Sequence, residues 1–466
     1  MQQWNMIIYF LFMGLLLFVG KVLKTKVPVI NRIVLPTALL GGAIGLLFTS
    51  LYSAFLNNGV NIIDVDAMTT IVYHALALGF ITLTLQEKKS KSKKKVWSTG
   101  MIITSTYALQ GFLGILLVLL LFSDKFVGSG ILLALGFGQG PGLATSFGRM
   151  WNDALAGNGV ALGASYAFLG FVVGGTVGVL LINLLSRKKN IERVKRFDDV
   201  SSGKHVIELD TVKEISVMDG MTVQFVIVAM IYGLVWLFLF ALKGFLVTDQ
   251  GGTIGDQVYG LLESFNFIIG IFFALGYKAI LKVIKKKGKN VNFVSNDYIM
   301  SNFTSLFFNI MITGAVLTIT FDFLADYGLL LLVISAVGGV ATLLYLRFMT
   351  KRVYPHFQDE YFVALFGMLT GTASTGVALL KGLDRDLTTP VAEEMVLGSG
   401  TAIAMALPLF AILMLPSLSY QTANQTLFEY IALFGCLLYA LVMVVILLVR
   451  GKRMAAAHIE EETSSN

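Results

Sequence analysis

Apolar runs of about twenty residues, separated by short polar stretches, fill this chain from end to end. A hydrocarbon core about 30 Å thick is crossed by about 20 helical residues. The pattern therefore predicts spanning helices near 5–23, 33–51, 69–85, 97–122 and 157–185, and a second set near 221–247, 258–284, 299–321, 327–348, 396–416 and 427–449. Two further apolar segments, 127–152 and 361–380, make poor continuous helices. The first holds "GFGQGPGLATSFGRMW", Gly136 to Trp151, and the second "ALFGMLTGTASTGVALLKG", Ala364 to Gly382. A helix interior loses roughly 1 kcal/mol for each glycine and about 3 for a proline.

Charge fixes which way these elements run. Short loops rich in Lys and Arg face the cytoplasm. "KSKSKKK" at 89–95, the stretch from Arg187 to Arg196, "KKKGK" at 285–289 and Lys351 with Arg352 all qualify. "LYSAFLNNGVNIIDVDA" and "TDQGGTIGD" carry no basic residue and are expected outside. Between the inner loops at 89–95 and 187–196 the number of crossings must be even, yet three apolar segments intervene. The segment with the Gly-Pro-Gly run is the one expected to enter from outside and turn back. The same count between Lys351/Arg352 and the tail with Arg450, Lys452 and Arg453 leaves 361–380 entering from inside. Two loops dipping in from opposite faces are the expectation for inverted-topology repeats. A gap-free shift of 234 also pairs Gly142 with Gly376, Ala144 with Ala378 and Gly148 with Gly382.

The expected fold is thus an all-α integral membrane protein of about eleven transmembrane helices in two inverted-topology repeats. Repeat 1 covers 1–186 with its re-entrant loop near 127–152, a cytoplasmic linker covers 187–215, and repeat 2 covers 216–416 with its loop near 361–382. Residues 417–466 add a further transmembrane helix and a cytoplasmic tail, whose end "EEETSSN" reads as disordered. The N-terminus is expected outside, the C-terminus inside, and the protein in the cell membrane.

Composition agrees: 56% of the 466 residues are hydrophobic and 14% charged, against about 25% charged in a soluble domain. The net charge of +7 sits in short loops, which points to orientation among membrane lipids and away from nucleic acid. Cys436, the lone cysteine, excludes an internal disulfide, and no Cys/His cluster has metal spacing. "MQQWNMIIYFLFMGLLLF" is followed by Lys21, Lys24 and Lys26 instead of being preceded by a basic region, so it reads as a retained span.

Non-helical backbone at membrane depth is tolerated only in protein or along a polar cavity. The two loops are therefore the candidate site. Backbone amides at broken-helix N-termini suit a carboxylate; carbonyls with Thr and Ser hydroxyls suit a hard cation such as Na⁺. Candidate substrate contacts are Gly138, Gln139, Gly140, Pro141, Gly142, Thr145, Ser146, Arg149, Gln110, Gly371 and Gly376. Candidate ion ligands are Thr370, Thr372, Ser374, Thr375 and Asn309, with Thr372, Ser374 and Thr375 as the Na⁺ set. No cofactor is expected beyond Na⁺ as coupling ion. Each residue also has a plain reading: Gln110, Asn309, Asn302, Thr304 and Ser305 as bonds between helices, Arg149 as a snorkelling cation, His74 as a packed histidine. "GGAIG" at 41–45 and "GFVVGGTVG" at 170–178 read as packing faces.

The paired Gly-rich loops, each between the fourth and fifth span of its half, resemble those of the bacterial sodium/glutamate symporters. "LPTALLGG" (35–42) resembles that family's Pro-Glu-Pro-x-x-Gly-Gly stretch, "LQGFLG" (109–114) its Gln-containing fourth span, and "GQGPGLA" (138–144) its Gly-His-Gly-Thr-Gly-Ala-Ala loop. The sequence departs at Thr37, Gln139 and Pro141, where the family has Glu, His and Thr. The resemblance implies Na⁺-coupled uptake of an acidic amino acid, glutamate first, by alternating access. Another carboxylate is the alternative substrate, an ion channel with re-entrant loops the alternative class, and a homodimer the assembly left open. An enzyme is not expected: Asp322 and Asp326 read as a loop, and His74 is the one histidine inside a span.

Overall fold

The computed structural model of the chain describes residues 5–31, 35–56, 63–86, 96–188, 220–247, 255, 259, 262–263, 265–287, 296–385, 387–418, 420 and 422–464. The basic run at 89–95, most of the 187–215 linker and most of "TDQGGTIGD" lie outside the described residues. All regular structure among the described residues is helical, which leaves backbone donors and acceptors paired within each segment, as hydrocarbon requires. Among the described residues ten helices are long and apolar enough to cross a membrane, against eleven spans counted in the sequence. The eleventh, at 33–51, is the shorter apolar helix Thr37–Ser53.

In chain order the helices are α1 (Asn5–Lys26), α2 (Pro28–Asn31), α3 (Thr37–Leu56), α4 (Val65–Leu85), α5 (Val96–Leu121), α6 (Gly128–Gly138), α7 (Pro141–Met150) and α8 (Gly159–Lys188). After the linker come α9 (Gly220–Leu246), α10 (Asn266–Lys286), α11 (Asp297–Leu317), α12 (Phe321–Val353), α13 (Gln358–Leu369), α14 (Ala373–Leu380), α15 (Val391–Leu418) and α16 (Gln425–Ser464). Two expectations are corrected. Asp322 and Asp326 are helical, because Thr320 caps α12 by accepting from the Phe323 amide and so starts the helix ahead of them. The C-terminal stretch also stays helical, as far as Ser464.

The chain forms two compact units. The first takes Met1–Gly20, Gly41–Lys89 and Gly203–Thr318. Within it α4 is surrounded by α9, α10 and α11. Asp64 caps α4 by accepting from the Asp66 and Ala67 amides. At the other end Lys278 donates to the carbonyls of Thr84 and Gln86, at 3.0 and 2.7 Å, a cation placed where a helix C-terminus favours one. Thr304 bridges α11 to α4 through Thr82, at 3.0 Å, and accepts from Gln86 at 2.9 Å. The glycines of "GGAIG" pack closely: a Cβ on Gly41 would lie 2.7 Å from the Leu16 carbonyl, and one on Gly42 2.7 Å from Val316 Cβ. His74, exposed along α4, pairs its Nδ1 with the Tyr232 hydroxyl at 2.6 Å.

The second unit takes Lys21–Leu40, Ser90–Ser202 and Ile319–Asn466. Here α5 is central, with α6, α12, α15 and α16 against it. Glycines allow the close approaches: Gly114 of α5 meets the backbone of Gly130 in α6, and Gly148 of α7 that of Gly159 in α8. On α8, a Cβ at Gly170 would lie 2.5 Å from the Thr370 carbonyl oxygen, and one at Gly174 2.5 Å from the Thr370 hydroxyl. The added helix α16 belongs to this unit. Its buried Cys436 would touch a Cβ on Gly111 at 3.5 Å, and its Tyr439 donates to the Met405 carbonyl of α15.

Candidate functional site

Both anomalous segments are broken helix pairs of the second unit. In the first, α6 stops at Gly138, Gln139 closes its last turn by donating to the Leu135 carbonyl at 3.0 Å, and α7 starts at Pro141. Only Gln139 and Gly140 lie outside helix, so the break is shorter than the 138–146 turn that the Gly-Pro-Gly run suggests. Pro141 fits because a helix's first position needs no N–H, and its ring presets the helical φ. Gly142, Thr145 and Ser146 are consequently helical and buried, and the Thr145 hydroxyl donates to the carbonyls of Pro141 and Gly142, at 2.8 and 3.1 Å. Gly140 carries the bend at φ 82°, ψ −176°, backbone that suits glycine alone.

In the second pair, α13 ends at Leu369 and α14 begins at Ala373, leaving Thr370, Gly371 and Thr372 between them. The Thr370 hydroxyl donates to the Phe366 carbonyl at 2.7 Å. Gly376 is inside α14, where a Cβ would lie 2.5 Å from the Ala364 carbonyl oxygen, so it serves the closure of the pair.

The two turns meet. A Cβ on Gly140 would lie 3.5 Å from Thr372 Cγ2 and 3.6 Å from the Gly371 carbonyl oxygen. The first amides of α7 and α14 therefore start from one place. A helix's first N–H groups have no partner within it, and neither Gly140 nor Thr372 supplies a side-chain cap. Two N-terminal dipole ends with open donors make an environment for negative charge.

Gln110 of α5 joins the turns from the side. Its Nε2 donates to the carbonyl of Leu369 at 3.0 Å and to the Thr342 hydroxyl of α12 at 2.9 Å. Its Oε1 faces Gly138, where a Cβ would lie 3.1 Å away, and finds no hydrogen-bond partner among the described residues. Gln139 Nε2 is likewise buried without a partner there. Tyr107 packs its ring on Gly138, and Phe171 would lie 3.0 Å from a Cβ on Gly371.

Side-chain and carbonyl oxygens of the kind that suits a hard cation lie around Gly371. The Thr372 and Thr375 hydroxyls stand 3.5 Å apart, and a Cβ on Gly371 would be 3.0 Å from Thr375 Oγ1 and 3.2 Å from the Gly367 carbonyl oxygen. Neighbouring ligands of a cation that binds at about 2.4 Å are separated by about 3.4 Å at right angles, which the separation of the two hydroxyls matches. Ser374, on the same turn of α14, is exposed.

One expected residue of this unit falls away from the turns. Arg149 occupies the last turn of α7, eight residues beyond Pro141, or about 12 Å along the axis at 1.5 Å per residue. Its charge belongs to the C-terminal end of the helix, where the dipole favours a cation. Asn309 is half-buried on α11, in the first unit. Sequence reasoning missed Thr342, Tyr107 and Phe171. It also missed buried Glu394, which reads as a plain acidic helix start and accepts a hydrogen bond from Tyr361. The chain matches no family model, no curated protein and no solved structure.

Proposed function

We propose that this protein is a secondary active transporter that carries a small carboxylate, an acidic amino acid such as glutamate, together with Na⁺ by alternating access. The observation that carries this reading is the meeting of two uncapped helix N-termini at Gly140 and Thr372. Discontinuous helices whose N-termini point at an anionic group, with carbonyls and hydroxyls beside them for the coupling ion, are how many secondary transporters build a site near the bilayer midplane.

The order of elements supports it. A set of helices in the first unit (α1, α3 and α4, or α9, α10 and α11) precedes a long helix, a broken pair and another long helix in the second (α5 to α8, or α12 to α15). The two N-caps stand 232 residues apart, close to the shift of 234 read from the glycines. In this reading the broken pairs are re-entrant loops of two inverted repeats, and α16 is an addition. The likeness to sodium/glutamate symporters points the same way. Another carboxylate is a second reading, favoured by Arg149, which sits too far along α7 to meet a side-chain carboxylate at the turns.

Purified protein in sealed liposomes, given an inward Na⁺ gradient and a panel of labelled amino acids, dicarboxylates and monocarboxylates, should accumulate one class above equilibrium. An inside-negative potential should help if net positive charge enters, by about 2.3 kcal/mol per charge per 100 mV. Equilibration without accumulation, at a rate that does not saturate, would instead make the protein a channel.

A further inference from the structure

We propose that Gln110 recognises an amino group on the carried carboxylate through its side-chain oxygen, which makes it a specificity-determining residue. The inference rests on the transport site placed at the two turns.

The orientation of the amide is fixed by its neighbours. Gln110 is 1% exposed, and one end of its amide faces the Leu369 carbonyl at 3.0 Å. A carbonyl only accepts, so the atom facing it must be the nitrogen; the opposite orientation would set two oxygens against each other. Thr342, at 2.9 Å from the same nitrogen, accepts its second proton. Turning the amide would lose the Leu369 bond and set its oxygen against that carbonyl, so the carbonyl fixes the orientation. Oε1 is thereby held toward the first turn, 3.1 Å from where a Cβ on Gly138 would be.

That oxygen has two lone pairs and uses neither within the described chain. A buried acceptor without a donor is unfavourable and rare, and it calls for a donor supplied by something else. A carboxylate cannot serve, since an ionised carboxylate only accepts. An ammonium can, with three N–H groups and a positive charge. Near the meeting of Gly140 and Thr372 the chain thus offers two kinds of group: N–H donors at the starts of α7 and α14, and one fixed acceptor, Gln110 Oε1. The molecule that complements both carries a carboxylate and an ammonium. The turns themselves provide no basic side chain, so the carboxylate depends on backbone amides and dipoles.

The test uses matched pairs that differ only in the amino group: glutamate and glutarate, aspartate and succinate, alanine and propionate. Ligand-induced shifts in melting temperature of the purified full-length protein, in Na⁺, give a half-saturating concentration for each. In the wild type the amino acid of the recognised pair should bind at least about tenfold more tightly than its partner, the worth of one charge-assisted hydrogen bond. Gln110→Leu should remove that preference and Gln110→Glu should strengthen it. Thr342→Val, which alters only the nitrogen side of the amide, should keep it. Equal binding of both members of every pair by the wild type overturns the proposal whatever the variants do, as does a preference that survives Gln110→Leu. Discrimination in binding without Na⁺-driven accumulation overturns the transport reading and leaves this one standing. Accumulation that ignores the amino group does the reverse, and no shift with any compound overturns both.

Discussion

Gly140 and Thr372, the residues that open the second helices of the two broken pairs, face each other one methyl apart: a methyl added at Gly140 would rest 3.5 Å from the Thr372 methyl. There is room for that methyl, but no backbone for it. With φ at 82° and ψ at −176° the position belongs to glycine, and a side chain there costs about 1–3 kcal/mol or moves the turn.

Gly140→Ala should therefore abolish uptake while the protein still reaches the membrane. Gly142→Ala, at the second residue of α7 with helical backbone, carries no such penalty and should keep uptake. Transport normalised to membrane abundance, with melting temperatures in detergent, checks the pair; equal effects of the two variants would mean the turn is not held in this conformation.

Gly170→Ala should be worse than Gly174→Ala. The first methyl would meet the Thr370 backbone carbonyl at 2.5 Å, the second the Thr370 hydroxyl at the same distance. A side chain can rotate away, whereas displacing the carbonyl moves the turn between α13 and α14. Overpacking of this kind costs about 1–3 kcal/mol. Melting temperature and the Na⁺ concentration for half-maximal uptake are the readouts, and both should change more for Gly170→Ala.

Arg149→Gln should leave the substrate concentration for half-maximal uptake unchanged, because the guanidinium lies at the far end of α7 from Gly140. A raised value with normal folding would bring Arg149 back to the carboxylate and move the site along the helix.

Asp384, in the connection between α14 and α15, makes stability depend on pH. Burial alone would raise its carboxyl, but bonds from the side chains and amides of Thr389 and Thr388 outweigh this and hold it below the ordinary value. A carboxyl lowered by folding contributes stability above its unfolded pKa of about 3.9, and that contribution is lost as pH falls through the lower folded value. Asp384→Asn should cost about 1–2 kcal/mol near neutrality, the scale of a lost cap. Melting curves of wild type and variant should converge at pH below about 3.9; a constant difference down to strong acid would rule out this role.

Orientation can be read with single cysteines in a Cys436→Ala background. Asp124 and His356 are both exposed, and the basic-loop argument places them on opposite sides, outside and inside respectively. Asp124→Cys should label from outside in intact cells and His356→Cys only after permeabilisation. Labelling from one side would remove the basis for inverted repeats.

The breaks themselves are legible in the sequence, since glycines and a proline interrupt runs otherwise good for helix. Their extent is not. Pro141 and Gly142 read as part of a turn, yet the proline occupies the one helical position that suits it and brings the glycine in behind. Asp322 reads as a loop residue because it is charged, while Thr320 starts a helix in which a first-turn carboxylate is favoured. Gln110 stands out as a lone amide in an apolar span. Its main partner does not: the Leu369 carbonyl is an atom every residue has, and only the end of α13 leaves it free to accept.

That bond joins residues 259 positions apart. At the usual 5–20 residues per second of synthesis, α5 is made about 10–50 s before the carbonyl that its glutamine needs. For most of that interval the amide has neither Leu369 nor Thr342 to bond in an apolar helix already leaving the ribosome. The nascent first half must wait, with Gln110 near water or on a temporary partner, until α13 arrives. Assembly of the turns thus waits on α13, and a chain cut off before Leu369 would present a buried-type glutamine to the cell's quality control.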